Sequence, residues 1–235
     1  MVYAEVLAGG KGTRMGNTDM PKQYLKLGSK PVFIHTLEQF VLNPKVDKVL
    51  LCCPKQWISY TCDTIKKYLD KCEKVIVVEG GASRNETILN GCRYIEKEFG
   101  IGEDDVIITH DSVRPFVTQR IIDDNIDGVL EYGATDTVVE AFDTIVESTN
   151  GETITGIPVR KYMYQGQTPQ SFKLAELVKL FESLTEEESN ILTDACKAYV
   201  IKGHPVKLVR GEVYNIKITT QYDLKVANGM VEKRG

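Results

Sequence analysis

Four short runs rich in β-branched residues, at 3–8 (YAEVLA), 47–53 (DKVLLCC), 74–79 (KVIVVE) and 105–110 (DVIITH), alternate along the chain with longer amphipathic stretches. Each run is apolar on both of its faces and ends near Gly, Pro or Asp, as a fully buried strand does. The stretches between them are PVFIHTLEQFVLN, ISYTCDTIKKYLDKC and RNETILNGCRYIEKEFG, the last placing Ile88, Cys92 and Ile95 on one helical face. Strand–helix alternation of this kind predicts an α/β fold, a mainly parallel sheet covered by helices on both faces. In such sheets ligands bind outside the carboxyl ends of the strands. The loops after residues 8, 79 and 110 are therefore where chemistry is expected.

A length of 235 residues suits one large domain spanning 1–235. No run of about 18 apolar residues is present to span a bilayer. The 33 acids and 29 bases give a net charge of -4, which argues against a nucleic-acid backbone as the main partner. The charge is uneven: residues 1–30 hold five bases against two acids, while 103–152 hold thirteen acids against two bases. A basic opening on an acidic chain points to a local anion site. The six cysteines form no CxxC pair and are too sparse for a disulfide scaffold, so reduced thiols in a cytoplasm are expected. The opening MVYAEVLAGG lacks a charged n-region and cleavage site, so secretion is not expected.

Two β-rich runs within 136–157 flank Thr149-Asn150-Gly151, a hairpin turn signal, and predict an antiparallel arm. Beyond it the pattern predicts helices over TPQSFKLAELVKLFESL and ESNILTDACKAYVIKG, strands over PVKLVRG and YNIKITT, and a last helix over QYDLKVANGMVEK.

The loop LAGGKGTRMG directly follows the first predicted strand. Its Gly9, Gly10 and Gly12 let backbone N–H groups approach an anion, and Lys11 and Arg14 add charge. It is not a Walker loop, and the dinucleotide fingerprint is incomplete: Met15 stands where the third small residue belongs, and the strand ending Cys52-Cys53-Pro54 has no ribose-binding acid. A second cluster, EGGASRNET (79–87), and a third, THDSVRPF (109–116), end the later strands. Asp111 can bind a hard divalent cation, although caps and turns use such residues more often. His110 is better suited to orienting or packing than to acting as a base. Arg114 has a planar fork that suits a phosphate monoester. Arg160 and Lys217 are ambiguous taken singly, and a solvated surface lysine is the default for Lys217.

Taken together, LAGGKGTRMG, MPKQYL, GGASRNET, HDSVRPF, the DT at 136–137, QTPQSF, TDA and NIKIT occur in one order over nearly the whole chain. In this the sequence resembles the IspD/TarI-type cytidylyltransferases, which couple CTP to a polyol phosphate. The resemblance implies a Rossmann-like nucleotidyltransferase fold, Mg2+ as cofactor, and a homodimer formed through the arm at about 136–157. One branch of the family acts on methylerythritol 4-phosphate for isoprenoids, the other on D-ribitol 5-phosphate for teichoic acid or other surface polymers. Val139 stands where the first branch usually has Lys, and HDSVRP replaces its usual HDAARP, so the ribitol branch is favoured.

By resemblance, the nucleotide lies along Leu7, Ala8, Gly9, Gly10 and Gly12, with Ser112 nearby. Gly80, Gly81, Ala82, Ser83, Arg84, Asn85, Glu86 and Thr87 frame its base and ribose, the backbone of Gly81 and Ala82 testing the exocyclic amine. Arg14 and Lys22 neutralise the reacting phosphate, and Asp111 holds Mg2+, with Glu212 a weak candidate for a second ligand. Lys217 and Arg160 meet the acceptor phosphate, with Arg114, Thr137 and Thr168 near it. If the arm crosses to a second subunit, Thr137 and Arg160 complete the neighbour's site. The competing readings are a sugar-1-phosphate nucleotidylyltransferase, which shares the glycine-rich loop, and a nucleotide-binding module without chemistry.

Overall fold

The structure is a computed structural model and describes residues 1–10, 12–16, 20–70 and 72–232. In chain order, β1 (Val2–Leu7) leads through the glycine-rich loop to a small hairpin, β2 (Lys26–Leu27) and β3 (Lys30–Pro31), and then to α1 (Val32–Leu42). There follow β4 (Lys48–Cys53), α2 (Ile58–Tyr68), β5 (Val75–Glu79), α3 (Arg84–Phe99), β6 (Val106–Asp111), α4 (Gln119–Tyr132) and β7 (Ala134–Glu140). The last part holds β8 (Tyr164–Lys173), α5 (Leu174–Glu182), α6 (Glu186–Asn190), α7 (Ala195–Ile201), β9 (Lys207–Arg210) and α8 (Gln221–Glu232).

The main sheet has the order β5-β4-β1-β6-β8-β7-β9. Only β8 runs against its neighbours, so the sheet is mainly parallel, as the alternation predicts. Side chains alternate across it because successive residues of a strand face opposite sides. Ala4, Val6, Val49, Leu51 and Ile108 pack under α1, α2 and α4. Tyr3, Leu50, Ile107 and Phe172 pack under α3, α5 and α7. In register, Leu7 of β1 lies beside Cys52 of β4 and Asp111 of β6, and Cys53 of β4 beside Glu79 of β5, which brings the loops after β1, β5 and β6 to one end of the sheet. A third cluster, Leu27, Val32, Val113, Phe116, Ile218 and Ala227, ties the hairpin and α8 beneath those loops.

The structure departs from the sequence reading in four places. Residues 164–173 form a strand, not the start of a helix: Pro169 is hostile to a helix interior, and the segment is held between β6 and β7 by pairing with both. The segment 186–201 is two helices, because Thr185 caps the first with a reciprocal Glu188 contact and Asp194 caps the second. Residues 214–219 form no strand and are held instead by single contacts, including the Ile218 amide on the Val113 carbonyl.

The fourth departure is the arm. Its first run, β7, pairs with β8 and not with 152–157. Within 141–163 the turn is present, with Gly151 at φ 73° and the Asn150 side-chain oxygen accepting from the amides of Glu152 and Thr153. The flanking runs, however, meet in a single bridge between Glu147 and Gly156. Helix α4, which the sequence reading does not single out, is capped by Thr118 and buries Ile121, Ile122, Ile126 and Val129.

Candidate active site

The three strand-end loops, with Lys22 and Gln23 and the segment before α8, enclose a cleft of about 420 Å3. It is lined by Leu7, Gly9, Gly10, Gly12 and Arg14 from the first loop, Gly81 to Arg84 and Thr87 from the second, and Asp111 to Val113 from the third, together with Lys217 and Thr219. Among the described lining residues, Arg14, Lys22, Arg84 and Lys217 are basic and Asp111 alone is acidic. Such a lining fits a polyanion. Lys11, expected beside them, lies outside the described residues.

Local chemistry shapes the first loop. Gly12 adopts φ 70°, where side chains are rarely tolerated; a Cβ there would meet the Lys22 amide only at an ordinary contact distance of 3.4 Å, so it is the backbone conformation that calls for glycine. The Gln23 side-chain amide donates to the carbonyls of Ala8 (2.6 Å) and Gly10 (3.2 Å), fixing the loop from behind. From α8, Gln221 donates to the Met15 carbonyl. Ala8 itself is buried behind the cleft. Burial, helped by the positive charges of Lys217 and Arg14, pushes the Lys22 ammonium down to about 8.

The second loop is braced from inside. Ser83 caps α3 by accepting from the Glu86 amide, Glu86 accepts from the Ala82 amide at 2.7 Å, and Thr87 accepts from the Gly81 amide. The amides of Gly81 and Ala82 are thus committed, and an exocyclic amine, itself a donor, needs an acceptor such as a carbonyl or hydroxyl to read it. Gly80, Asn85 and Glu86 do not line the cleft.

At the third loop, Asp111 is the hub. Its Oδ1 receives Arg84 Nη1 at 2.7 Å, and its Oδ2 lies 2.9 Å from Lys217 Nζ and 3.5 Å from Arg114 Nε. Burial alone would raise this carboxyl, but the charges of Arg84, Lys217 and Arg114 overcome it and hold the group well below the usual carboxylate range. Arg114 turns inward: its side chain is 11% exposed, and Nη1 donates to the Asn215 carbonyl at 2.8 Å. It braces Asp111 and the 215 loop and does not line the cleft. Burial pushes the His110 imidazole down to about 3, so it is neutral.

A family model described as 2-C-methyl-D-erythritol 4-phosphate cytidylyltransferase, IspD, matches residues 2–233. The chain belongs to this family. A ribitol-5-phosphate cytidylyltransferase from Lactiplantibacillus plantarum is 56% identical over 234 residues, covering all of both chains. Among solved structures, a 4-diphosphocytidyl-2C-methyl-D-erythritol synthase from Anaerococcus prevotii is 26% identical with TM-score 0.81, covering 98% of this chain and 96% of its own. The Francisella tularensis 2-C-methyl-D-erythritol 4-phosphate cytidylyltransferase is 28% identical with TM-score 0.80, covering 97% and 98%. The nucleotidyltransferase fold expected from the sequence is the fold of these relatives.

The remaining residues that the resemblance to IspD relatives singles out lie apart from the cleft lining. Thr137 is fully buried, its hydroxyl donating to the Pro169 carbonyl (2.6 Å) and accepting from Asn125 Nδ2, so it stands in the core of its own subunit and cannot reach a neighbour. Thr168 is 4% exposed and also bonded internally. Arg160 is exposed, donates to the Phe142 carbonyl, and lines a separate groove on the arm with Glu140, Phe142, Val159 and Lys161. Glu212 is engaged by Arg120 at 2.8 Å and does not line the cleft. Gln23 and Thr219, which the sequence reading passes over, sit one and two residues from Lys22 and Lys217, inside motifs already quoted for those lysines.

Proposed function

We propose that this chain transfers the cytidylyl group of CTP to D-ribitol 5-phosphate, releasing pyrophosphate and CDP-ribitol. The observation that carries the acceptor is the 56% identity, end to end, with a ribitol-5-phosphate cytidylyltransferase, against 26–28% for the two relatives named for methylerythritol. Val139, on β7 opposite Gln165, and Ser112-Val113 in the third loop agree with that branch.

A phosphate oxygen of the acceptor attacks the α-phosphorus, and the bond to the leaving pyrophosphate breaks in line. Two polyanions must meet, so the protein's task is charge neutralisation and alignment; the nucleophile is already an anion and needs no general base. The four basic side chains among the described lining residues suit that task. In this reading Arg14 and Lys22 stabilise charge at the α-phosphate, the glycine loop holds the triphosphate, and Arg84 and Lys217 exchange Asp111 for phosphate oxygens as substrates enter. Carbonyls of the Gly81–Ala82 turn favour cytosine over uracil.

Mg2+ fits the donor set. No group of three His, Cys, Asp or Glu side chains suited to a metal exists among the described residues, which argues against an all-protein cage. Mg2+ is commonly held by one or two carboxylates plus substrate phosphates, and Asp111 offers one carboxylate at the phosphate cleft. When bound, Mg2+ would neutralise charge on the phosphate oxygens.

We further propose a homodimer through the arm. Phe142, Ile154, Ile157 and Tyr162 are 59 to 66% exposed there, an apolar surface that a second copy would cover. The exposed Arg160 could then serve the neighbour's cleft, a role the buried Thr137 does not share. Sedimentation should give a dimer at micromolar concentration, and Phe142→Glu with Ile154→Glu should give a folded, poorly active monomer. A monomer with full turnover would contradict this.

The product is an activated polyol phosphate, suited to teichoic acid or another surface polymer. The six free cysteines agree with a cytoplasmic site of action, and no helix among the described residues is long and apolar enough to cross a membrane. The direct test is pyrophosphate release from CTP and Mg2+ with D-ribitol 5-phosphate. Release is expected only with the acceptor present and more slowly from UTP. Turnover of UTP or dTTP with a hexose 1-phosphate would point to the sugar-phosphate enzymes instead, and CTP binding without any turnover to a binding module.

A further inference from the structure

We infer that His110 and Thr168 form a positioning pair that sets Asp111, and that the Thr168 hydroxyl acts through Asp111 without touching the acceptor. The Asp111 amide donates to Thr168 Oγ1 at 3.1 Å, and Thr168 Oγ1 lies 3.0 Å from His110 Nδ1. On the other side of the ring, His110 Nε2 lies 3.1 Å from the Arg114 carbonyl. A carbonyl only accepts, so Nε2 carries a proton, and the Thr168 hydroxyl, which already accepts from the Asp111 amide, has Nδ1 as the acceptor for its own proton. The Thr168 hydroxyl must then give its proton to Nδ1, which turns its lone pairs toward the Asp111 amide.

Every bond in this chain therefore has one direction: Asp111 amide to Thr168 hydroxyl to His110 ring, and His110 ring to the Arg114 carbonyl. The chain closes the 110–114 loop on itself and ties it to β8. The groups are buried, with His110 at 0% and Thr168 at 4% exposure, so water does not substitute for them. Phe40 packs on the ring at 5.1 Å between centroids. Asp111 is the carboxylate around which Arg84, Arg114 and Lys217 gather, so a displaced Asp111 misplaces cations from three parts of the chain. The neighbouring Asn215 holds the same strand from the other side, donating to the Thr168 carbonyl at 2.9 Å.

The inference rests on the proposed reaction only for its kinetic readout. Thr168→Val removes the hydroxyl at nearly constant volume, Thr168→Ser keeps it, and His110→Phe keeps a ring without its nitrogens. Thr168→Val is expected to lower kcat about 10- to 100-fold, as losses of supporting hydrogen bonds around a site do, with the acceptor KM unchanged. Thr168→Ser should restore most of that loss. His110→Phe should fall by a similar factor, and the double variant by no more than either single change, the mark of groups acting as one unit. A Thr168→Val effect confined to acceptor KM, or additive losses in the double variant, would overturn the inference. Should His110→Phe fail to fold, the comparison of Thr168→Ser with Thr168→Val decides alone. Independently of turnover, 15N spectra of the native protein should show His110 as the Nε2–H tautomer with Nδ1 accepting a hydrogen bond. A protonated Nδ1 would refute the pair even if the enzyme is active, and the expected tautomer would stand even if the acceptor proved to be another phosphate.

Discussion

Lys22→Ala is expected to lower kcat/KM for CTP by about 10² to 10³-fold, the usual cost of removing one preorganised group that stabilises transition-state charge. The residue is buried against Gly12, so its ammonium is held at the cleft with little freedom and its charge is poorly screened by water. The same burial, with Lys217 and Arg14 close by, brings the ammonium down to about 8. Above that pH the free enzyme loses the proton and with it the charge, so kcat/KM for CTP should fall as pH rises through about 8. Lys22→Arg separates charge from everything else about the lysine: a guanidinium stays protonated, so this variant should be slower overall but show no inflection near 8. Rate profiles of both enzymes from pH 6 to 10 measure this. A native profile flat to pH 10, or an alkaline fall that survives in Lys22→Arg, would count against a charge role for Lys22.

The second large effect concerns stability. Glu5 lies in the central strand β1, fully buried, facing α3. Its Oε1 accepts from the Cys52 thiol at 3.3 Å, its Oε2 has no partner, and a Cβ added at Gly91 would stand 2.4 Å from Oε1. Burial pushes the carboxyl up to about 8, the thiol and Arg84 offsetting only part of that. Unfolded glutamates ionise near about 4.3. Between about 4.3 and 8 the folded chain keeps a proton that the unfolded chain has released, so the Glu5 contribution is fully present at low pH and is lost as pH rises toward 8. The loss is on the order of a few kcal/mol. Glu5→Gln, which cannot ionise, should flatten the decline, so that the gap between the two proteins in urea midpoint shifts in favour of the variant from pH 5 to 8. Parallel curves would mean that Glu5 is ionised in the fold. Gly91→Ala should be destabilising at every pH, because the added methyl and the buried carboxyl cannot both keep their places.

Strands β1, β4 and β6 were legible because they are buried on both faces and so read as continuous apolar runs, and the edge strand β5, only half-buried, was legible from its run of β-branched residues. Strand β8 was not: Gln165, Gly166, Gln167, Thr168, Pro169, Gln170 and Ser171 give it no apolar pattern. Its place is fixed by pairing with β6 and β7 and by side-chain partners such as Asn125, which receives the Ser171 hydroxyl from 46 residues away. The cleft was legible for a similar reason. Its glycines, with Arg14 and Arg84, lie in the loops that end the first, third and fourth predicted strands, and the register of a parallel sheet brings those ends together, whereas Lys217 joins them from the segment before α8.

What spacing could not supply was the direction in which a side chain turns. Arg114 and Thr137 stand in motifs beside cleft residues, yet each faces inward, because its partners, the Asn215 and Pro169 carbonyls, come from distant parts of the chain. The family resemblance named positions in and around the cleft without distinguishing those that line it from those packed behind it. Asp111 shows both sides of this. Its place at a strand end was readable, whereas its three basic partners come together only in the fold.

The most direct test of the account is a comparison of kcat/KM for D-ribitol 5-phosphate and 2-C-methyl-D-erythritol 4-phosphate, with CTP and Mg2+ held at saturation and pyrophosphate as readout. The ribitol phosphate should be preferred by at least about 10²-fold, well within the roughly 10⁴ to 10⁵-fold available to a site that pairs with substrate hydroxyls. Equal turnover of the two acceptors, or a preference for the methylerythritol phosphate, would contradict the assignment.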